Sequence, residues 1–547
     1  MKEKLVNHWP IVLILILSLL TVWPIFLSGY FSHHDDLQVM RVFEMRKCIE
    51  DLQIPCRWVK DMGFGNGFPL FNFYGVLPYY IGAILSYFLG FIGAAKALFF
   101  IPLILGGISM YLLASSAGGK WVGLSAASLY LFAPYRSLDA YVRGAVSESF
   151  ALSIIPLVFY FGLRLAKGKT NFNFLLFSLS LGAFLISHNI MTMLFSPLLV
   201  LFVVYVSFRN KSKNIKAFIF STLLGIGLSA FFLFPAYLEK PLIQTDTLTR
   251  FDLDFRVHFV TIRQLFLDRN WGYGASVLGP NDTISFQIGW PHWWLVIIGA
   301  LIFIFKRKFL LLVLTAIFLI SIFMTHNKSA FIWEKIGILR FTQFPWRFLS
   351  ISIFSASLIG GSVLLFVKEK WKSWVAFLIV VLTIIFNFSY FKPDKFYFDL
   401  TDQQKLSGNF WDEQRRAGIL DYLPKGAYEP REAAPNNPLI ILGKADVKNF
   451  INKSNSWQFD VNVKEEAKIE MPVFDFPNWE VSIDGHKISH NKENLLKRIQ
   501  FNLKPGNYQV AGKLKDTPVR MFSNLISLLS LSTLLFILKY GRKFQKN

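Results

Sequence analysis

The chain has 547 residues, of which 53% are hydrophobic and only 17% charged. Apolar runs long enough to cross a hydrocarbon core of roughly 30 Å recur along it, which excludes a soluble globular protein. The formal net charge is +22, but Lys and Arg gather in short clusters between apolar runs, a pattern that fits membrane topology and anionic lipid rather than nucleic acid.

The first apolar run, residues 10–29, follows Lys2 and Lys4 as a signal peptide would. No small-residue cleavage site follows it and further runs come later, so a retained anchor is expected. Loop one then reads Ser32-His33-His34-Asp35-Asp36-Leu37-Gln38-Val39-Met40-Arg41-Val42-Phe43-Glu44. Leu37, Met40 and Glu44 have helical spacing, and Asp35 or Asp36 is placed to cap that helix. For a lone Asp, capping at a membrane surface would suffice. Two carboxylates and two histidines directly after a membrane helix fit a general base or, through oxygen ligands, a divalent cation such as Mg2+ or Mn2+. The residue pattern leaves base and metal ligand open, and it lacks the spacing of a helical zinc motif.

Both cysteines, Cys48 and Cys56, fall in this loop, where an oxidising exterior would permit a disulfide. Further on, Gly63, Gly65 and Gly67 lie among aromatics suited to interfacial lipid or a sugar face. No strand precedes these glycines, so they do not read as a nucleotide-binding loop.

Twelve strong apolar runs are expected to span: residues 10–29, 96–116, 120–133, 149–166, 172–187, 190–208, 217–238, 291–305, 309–325, 346–367, 373–390 and 521–540. The basic clusters are Arg209, Lys211, Lys213 and Lys216; Lys306, Arg307 and Lys308; Lys368, Lys370 and Lys372; and Arg542, Lys543 and Lys546. An even number of runs separates them, so all four can be cytoplasmic, and counting back puts Lys167 and Lys169 there too. The same parity predicts that the segment 76–92, starting Leu77-Pro78-Tyr79-Tyr80, lies in the outer interface without crossing.

The second external loop holds Tyr135, Arg136, Asp139, Tyr141, Arg143, Gly144 and Glu148. Arg136 and Arg143 are expected to hold a phosphate or diphosphate, while Glu148 is placed to pair with Arg143. His188 sits at an outer turn. The loop 239–290, with Asp252, Asp254, Arg256, His258 and Arg263, and the loop with His326, Arg340 and Arg347, are expected to border a substrate groove. Residues 391–519 are polar with period-two alternation, as at Trp457, Phe459, Val461 and Val463, and carry turns at Asp484-Gly485 and Pro505-Gly506. They predict a small antiparallel β-sandwich outside the membrane. Residues 520–547 form a last membrane helix and tail.

His34-Asp35-Asp36, Pro55-Cys56-Arg57-Trp58, Phe73-Tyr74, Leu77-Pro78-Tyr79-Tyr80 and Tyr141-Val142-Arg143-Gly144-Ala145 resemble a bacterial and archaeal membrane family labelled "6-pyruvoyl-tetrahydropterin synthase-related". That label carries no pterin chemistry here. The chain also resembles the GT-C superfamily of glycosyltransferases, and its Phe476-Pro477-Asn478-Trp479 and Asp484-Gly485 resemble YfhO-like proteins. The resemblance implies an all-α polytopic unit of about 12 transmembrane helices over residues 1–390, its catalytic first loop at 30–75.

It further implies an enzyme of the plasma membrane, both termini cytoplasmic and the active site extracytoplasmic. Such an enzyme takes a sugar from a polyprenyl-phosphate donor to a glycan, lipid or protein acceptor, with membrane lipids as its surroundings. The catalytic base or metal ligand, an acidic residue of the first external loop, carries over to Asp35 or Asp36, Asp35 first. Substrate contacts are expected from His34, Arg41, Glu44, Arg57, Asp61, Tyr74, Arg136, Arg143, Glu148 and His188. The competing expectations are a transporter or flippase of lipid-linked glycans and a glycan-binding scaffold. Inverted repeats and mid-membrane charges, which would favour transport, are not evident.

Overall fold

The computed structural model describes residues 2–168, 171–209 and 215–540. Lys169, Lys211, Lys213, Arg542, Lys543 and Lys546 lie outside the described residues. Each apolar run folds as helix, because in lipid a backbone must satisfy its polar groups within the segment.

Seven helices among the described residues are long and apolar enough to cross a membrane: Leu77–Gly118, Val146–Lys167, Asn189–Phe208, Ile215–Leu238, Pro345–Phe366, Glu369–Tyr390 and Pro518–Lys539. An eighth arises if Phe309–Thr325 and Asn327–Lys335, bent by 93°, count as one. Trp9–Thr21, Asn171–Leu185 and Trp290–Phe305 are apolar but shorter. The 12-residue helix Lys120–Leu131 rises only about 18 Å at 1.5 Å per residue. Helix length therefore supports fewer full spans than the expected dozen.

The 42-residue helix Leu77–Gly118 is two helices joined at Gly90, whose φ of 69° and ψ of 179° break the ladder. The second helix is capped from far along the chain: the Asp402 carboxylate accepts from Phe91 N at 2.7 Å and Ile92 N at 2.8 Å. A carboxylate satisfies amides that a helix start leaves unpaired and suits the positive end of its dipole. Residues 77–89 thus form a separate arm whose Ile84, Phe88 and Leu89 are exposed. The cap places the break on the side of the polar C-terminal segment.

That segment returns to loop one. Strand β1 (Tyr30–Phe31) pairs antiparallel with β2 (Phe396–Tyr397), and Lys405 reaches Asp36 at 2.6 Å. The loop-one helix, Gln38–Glu50, starts after Leu37 with no side-chain cap, which corrects the expected Asp cap. Cys48 and Cys56 are disulfide-bonded, their Cα atoms 5.5 Å apart.

The expected two-sheet sandwich is also corrected. Strands β3 (Leu439–Asn452), β4 (Ser456–Phe474), β5 (Trp479–Ile483), β6 (His486–Ile488), β7 (Arg498–Leu503) and β8 (Gly506–Leu514) form one antiparallel sheet, ordered β3-β4-β8-β5-β6 with β7 also on β4. The sheet forks because β4 is 19 residues long. Its first half pairs with β8 and its second half with β7. Alternation gives the buried row Trp457, Phe459, Val461 and Val463. The sheet docks on loop one through Trp58, whose ring lies 5.7 Å from Phe476 and 5.9 Å from Trp479.

Candidate active site

Loop one and the second loop are joined by backbone. His34 N donates to Val142 O and Asp35 N to Arg143 O, both at 2.9 Å, and Gln38 Nε2 donates to Gly144 O at 2.8 Å. Residues Leu138–Arg143 form a π-helical turn that ends at Gly144, in the left-handed region at φ 69°. A Cβ on Gly144 would stand 2.8 Å from the His33 ring, so only glycine allows this approach.

The seam opens into a cavity of about 1130 Å³. On its lining Asp35 lies in the grip of Arg41, with NH1 to Oδ2 at 2.6 Å and NH2 to Oδ1 at 3.0 Å. Arg41 is buried and stacks 4.3 Å over the Tyr74 ring, while Asp35 is 32% exposed. Gln38 Nε2 adds a contact to Asp35 Oδ2 at 3.2 Å. His34, Asp35, Arg41 and Tyr74 line the cavity; Asp36 does not. It points to buried Lys405 instead.

The lining also includes part of a buried charge cluster. Arg143 NH1 donates to Asp139 Oδ1 at 2.5 Å and to Glu148 Oε2 at 2.9 Å. Its guanidinium lies 4.7 Å over the Trp346 ring. Arg347 approaches the same Glu148 oxygen at 3.6 Å and is anchored by donating to Thr342 O at 2.7 Å. Burial, then the neighbouring Glu148, pushes the Asp139 carboxyl well above its usual range. Burial pushes His188 down to about 3, so its ring is neutral. Two guanidinium groups converge on Glu148, fixed cations suited to an anion. Arg143, Glu148, His188 and Arg347 all line the cavity, as does Lys240. The Lys240 ammonium lies 3.1 Å over the Phe341 ring and has no ion-pair partner among the described residues.

Four expected contacts lie elsewhere. Arg136 is fully buried and donates to Pro102 O at 2.7 Å; it packs over Tyr130 at 5.2 Å and does not pair with Arg143 across the cavity. Arg57 ties loop one to the last helix, donating to Asn72 Oδ1 at 3.1 Å and Asn524 Oδ1 at 2.9 Å. Glu44 is buried, and burial with the nearby Asp61 charge pushes its carboxyl up. Asp61 pairs with Lys47 at 2.8 Å. None of the four lines the cavity. Each is a polar group that folding buries to brace loop one or its neighbours.

The carboxylates do not gather as a metal site. Asp35 and Asp36 turn to different cations, and among the described residues no group of three or more His, Cys, Asp or Glu side chains is placed to hold an ion. The donor set does not fit the divalent cation considered from the sequence, and no step is routed through one.

The model of the 6-pyruvoyl-tetrahydropterin synthase related domain, described as a membrane protein, matches residues 71–392. The chain belongs to that family. The matched stretch contains the arginine pole but neither Asp35 nor the C-terminal segment that returns to it. An uncharacterized protein of Lactococcus lactis subsp. cremoris (strain MG1363) is 26% identical over 237 residues, 41% of this chain and 38% of that protein. The chain therefore spans well under half of that relative. The crystal structure of the Archaeoglobus fulgidus oligosaccharyltransferase in the apo form is similar with a TM-score of 0.47 and 13% identity, over 78% of this chain and 61% of that one.

Sequence reasoning placed Arg347 only in a general groove and passed over Lys240, Lys405 and Asp421. Each stands alone in its local sequence, and only the fold brings it to the cavity or, for Lys405, to Asp36. A buried-arginine signal was present at Phe344-Pro345-Trp346-Arg347, where one cation follows aromatics at the head of a span.

Proposed function

We propose that this cavity transfers a sugar from a lipid-linked phosphate donor to an acceptor outside the membrane. The observation that carries the reading is one cavity whose lining holds both Asp35 and the Arg143–Arg347 pair. Charge at a departing phosphate is where fixed cations are most useful, because it develops as the bond breaks. Arg143 and Arg347 hold the phosphate, and Lys240 extends the pole. A carboxylate offers about four acceptor positions; Arg41 and Gln38 engage three at Asp35, leaving one for the acceptor's hydroxyl. Asp35, rather than Asp36, binds and orients that nucleophile. The resemblance of loop one to membrane glycosyltransferases supports the same reading.

The test uses the purified full chain in lipid nanodiscs with polyprenyl-phosphate sugars and a panel of glycan, lipid and peptide acceptors. Asp35→Asn is expected to lower transfer by about 10²-fold or more and Arg347→Gln by about 10²-fold, in the range for loss of a positioned charge. Full transfer by both variants would sink the proposal. Movement of an intact lipid-linked sugar across the bilayer, with no transfer, would favour the flippase reading.

A further inference from the structure

Another carboxyl reaches the cavity from the C-terminal segment. Asp421 ends the short turn Ile419–Asp421, which follows Gly418 in the left-handed region at φ 66° and ψ 15°. Its own amide donates to Gly418 O at 3.1 Å. The flanking residues fix it from both sides. Tyr422 stacks on Phe73 at 5.7 Å with an interplanar angle of 24°. Leu420 O accepts from Thr247 Oγ1 at 2.7 Å, and Leu423 O accepts from Gln244 N at 2.9 Å. The Asp421 side chain lines the cavity beside Asp35 and Arg41. Unlike Asp35, it has no hydrogen-bond or ion-pair partner among the described residues.

We propose that Asp421 is the general base of the transfer, taking the proton of the acceptor's hydroxyl that Asp35 orients. The acceptor oxygen bonds to the anomeric carbon as the bond from that carbon to the donor phosphate oxygen breaks. The electron pair leaves on the phosphate, between Arg143 and Arg347, and the proton stays on Asp421 until solvent removes it. This assignment rests on the glycosyl-transfer reading above. A base works best when its pKa lies near the working pH and its acceptor positions are free. Asp421 meets both conditions: burial pushes its carboxyl up to about 6, the Arg41 charge opposes that rise and the Asp35 charge adds to it.

The charged and titratable groups facing it are Arg41 and Asp35 from loop one and Tyr422 from its own segment. On the packed 245–249 turn, Asp246 is exposed and held by Arg250 at 3.1 Å. The carboxylate is the working form, so the transfer rate falls as pH drops through about 6. His34 lines the same cavity and supplies the control for that titration.

The experiment measures kcat and KM against pH for the full chain in nanodiscs, with the lipid-linked sugar and acceptor that the wild type uses. Asp421→Asn is expected to lower kcat by about 10²–10⁴-fold, to leave KM within a few-fold, and to abolish the acid limb. His34→Gln keeps the limb, and Asp421→Glu recovers part of kcat. Asp421→Asn with wild-type kcat, or with low kcat and an intact acid limb, overturns the assignment while the transfer reading stands. A wild-type chain that transfers no sugar overturns both. If Asp421→Asn does not fold, Asp421→Ala with added formate replaces it: restored turnover supports a base, and no restoration overturns it.

Discussion

Replacing Arg143 with Met tests whether the positive pole is a structural and a functional element at once. The guanidinium bonds to two carboxyls with no exposed side-chain surface, Asp139 at 2.5 Å and Glu148 at 2.9 Å. Removing one partner of a buried pair costs about 3–5 kcal/mol, because a charge is left uncompensated. Burial already favours protonated Asp139, so Glu148 is the charge at risk, and Arg347 still approaches it at 3.6 Å. The loss expected is therefore at the lower end, about 3 kcal/mol. Denaturant unfolding of detergent-solubilised protein measures it. Adding Glu148→Gln removes the orphaned charge and is expected to return about half of that loss, or more. It is not expected to return transfer, since the phosphate ligand is still missing. Two results would refute this reasoning: Arg143→Met as stable as wild type, or a double variant that recovers transfer along with stability.

Other perturbations separate bracing from chemistry. Asp36→Asn and Lys405→Met break the 2.6 Å tether at a carboxylate that is 40% exposed, so each is expected to cost about 1 kcal/mol after solvent screening and to leave transfer within a few-fold, as read by unfolding and the transfer assay. Asp402→Ala removes the distant cap on the helix after Gly90 at a cost of about 0.5–2 kcal/mol; hydrogen exchange should speed up at the Phe91 and Ile92 amides and stay unchanged at mid-helix amides. Reduction of the Cys48–Cys56 bridge, which closes a separation of 8 residues, is expected to add two hydrogen masses to the intact protein and to cost about 2–3 kcal/mol; an unchanged mass would show that the bridge is absent.

The helices were legible because lipid imposes one rule on every apolar run. The span count was less legible. Hydropathy marks a run such as 120–133 without showing that its helix stops after 12 residues. Alternation in residues 456–474 gives the strand and its buried row, but says nothing of which strands share its far edge. At the cavity, the sequence marks Asp35 and Asp36 as a pair. What separates them is the direction from which a cation arrives, Arg41 six residues on and Lys405 from the far end of the chain. The same limit explains Arg136 and Arg347: two arginines near in sequence looked like a clamp, and the folded bundle pairs Arg143 with the distant one.

The pairing of Tyr30–Phe31 with Phe396–Tyr397 also fixes when the site comes into being during biosynthesis. Loop one is translated well before the strand, tether and turn that close over it, which are encoded after residue 390. A nascent chain can insert its early helices and form its arginine pole while the segment carrying Asp421 has yet to leave the ribosome. Under this assignment the proton acceptor arrives last, so the chain stays inert until most of its membrane helices have been made. Truncations ending before residue 396 would then insert without turning over substrate.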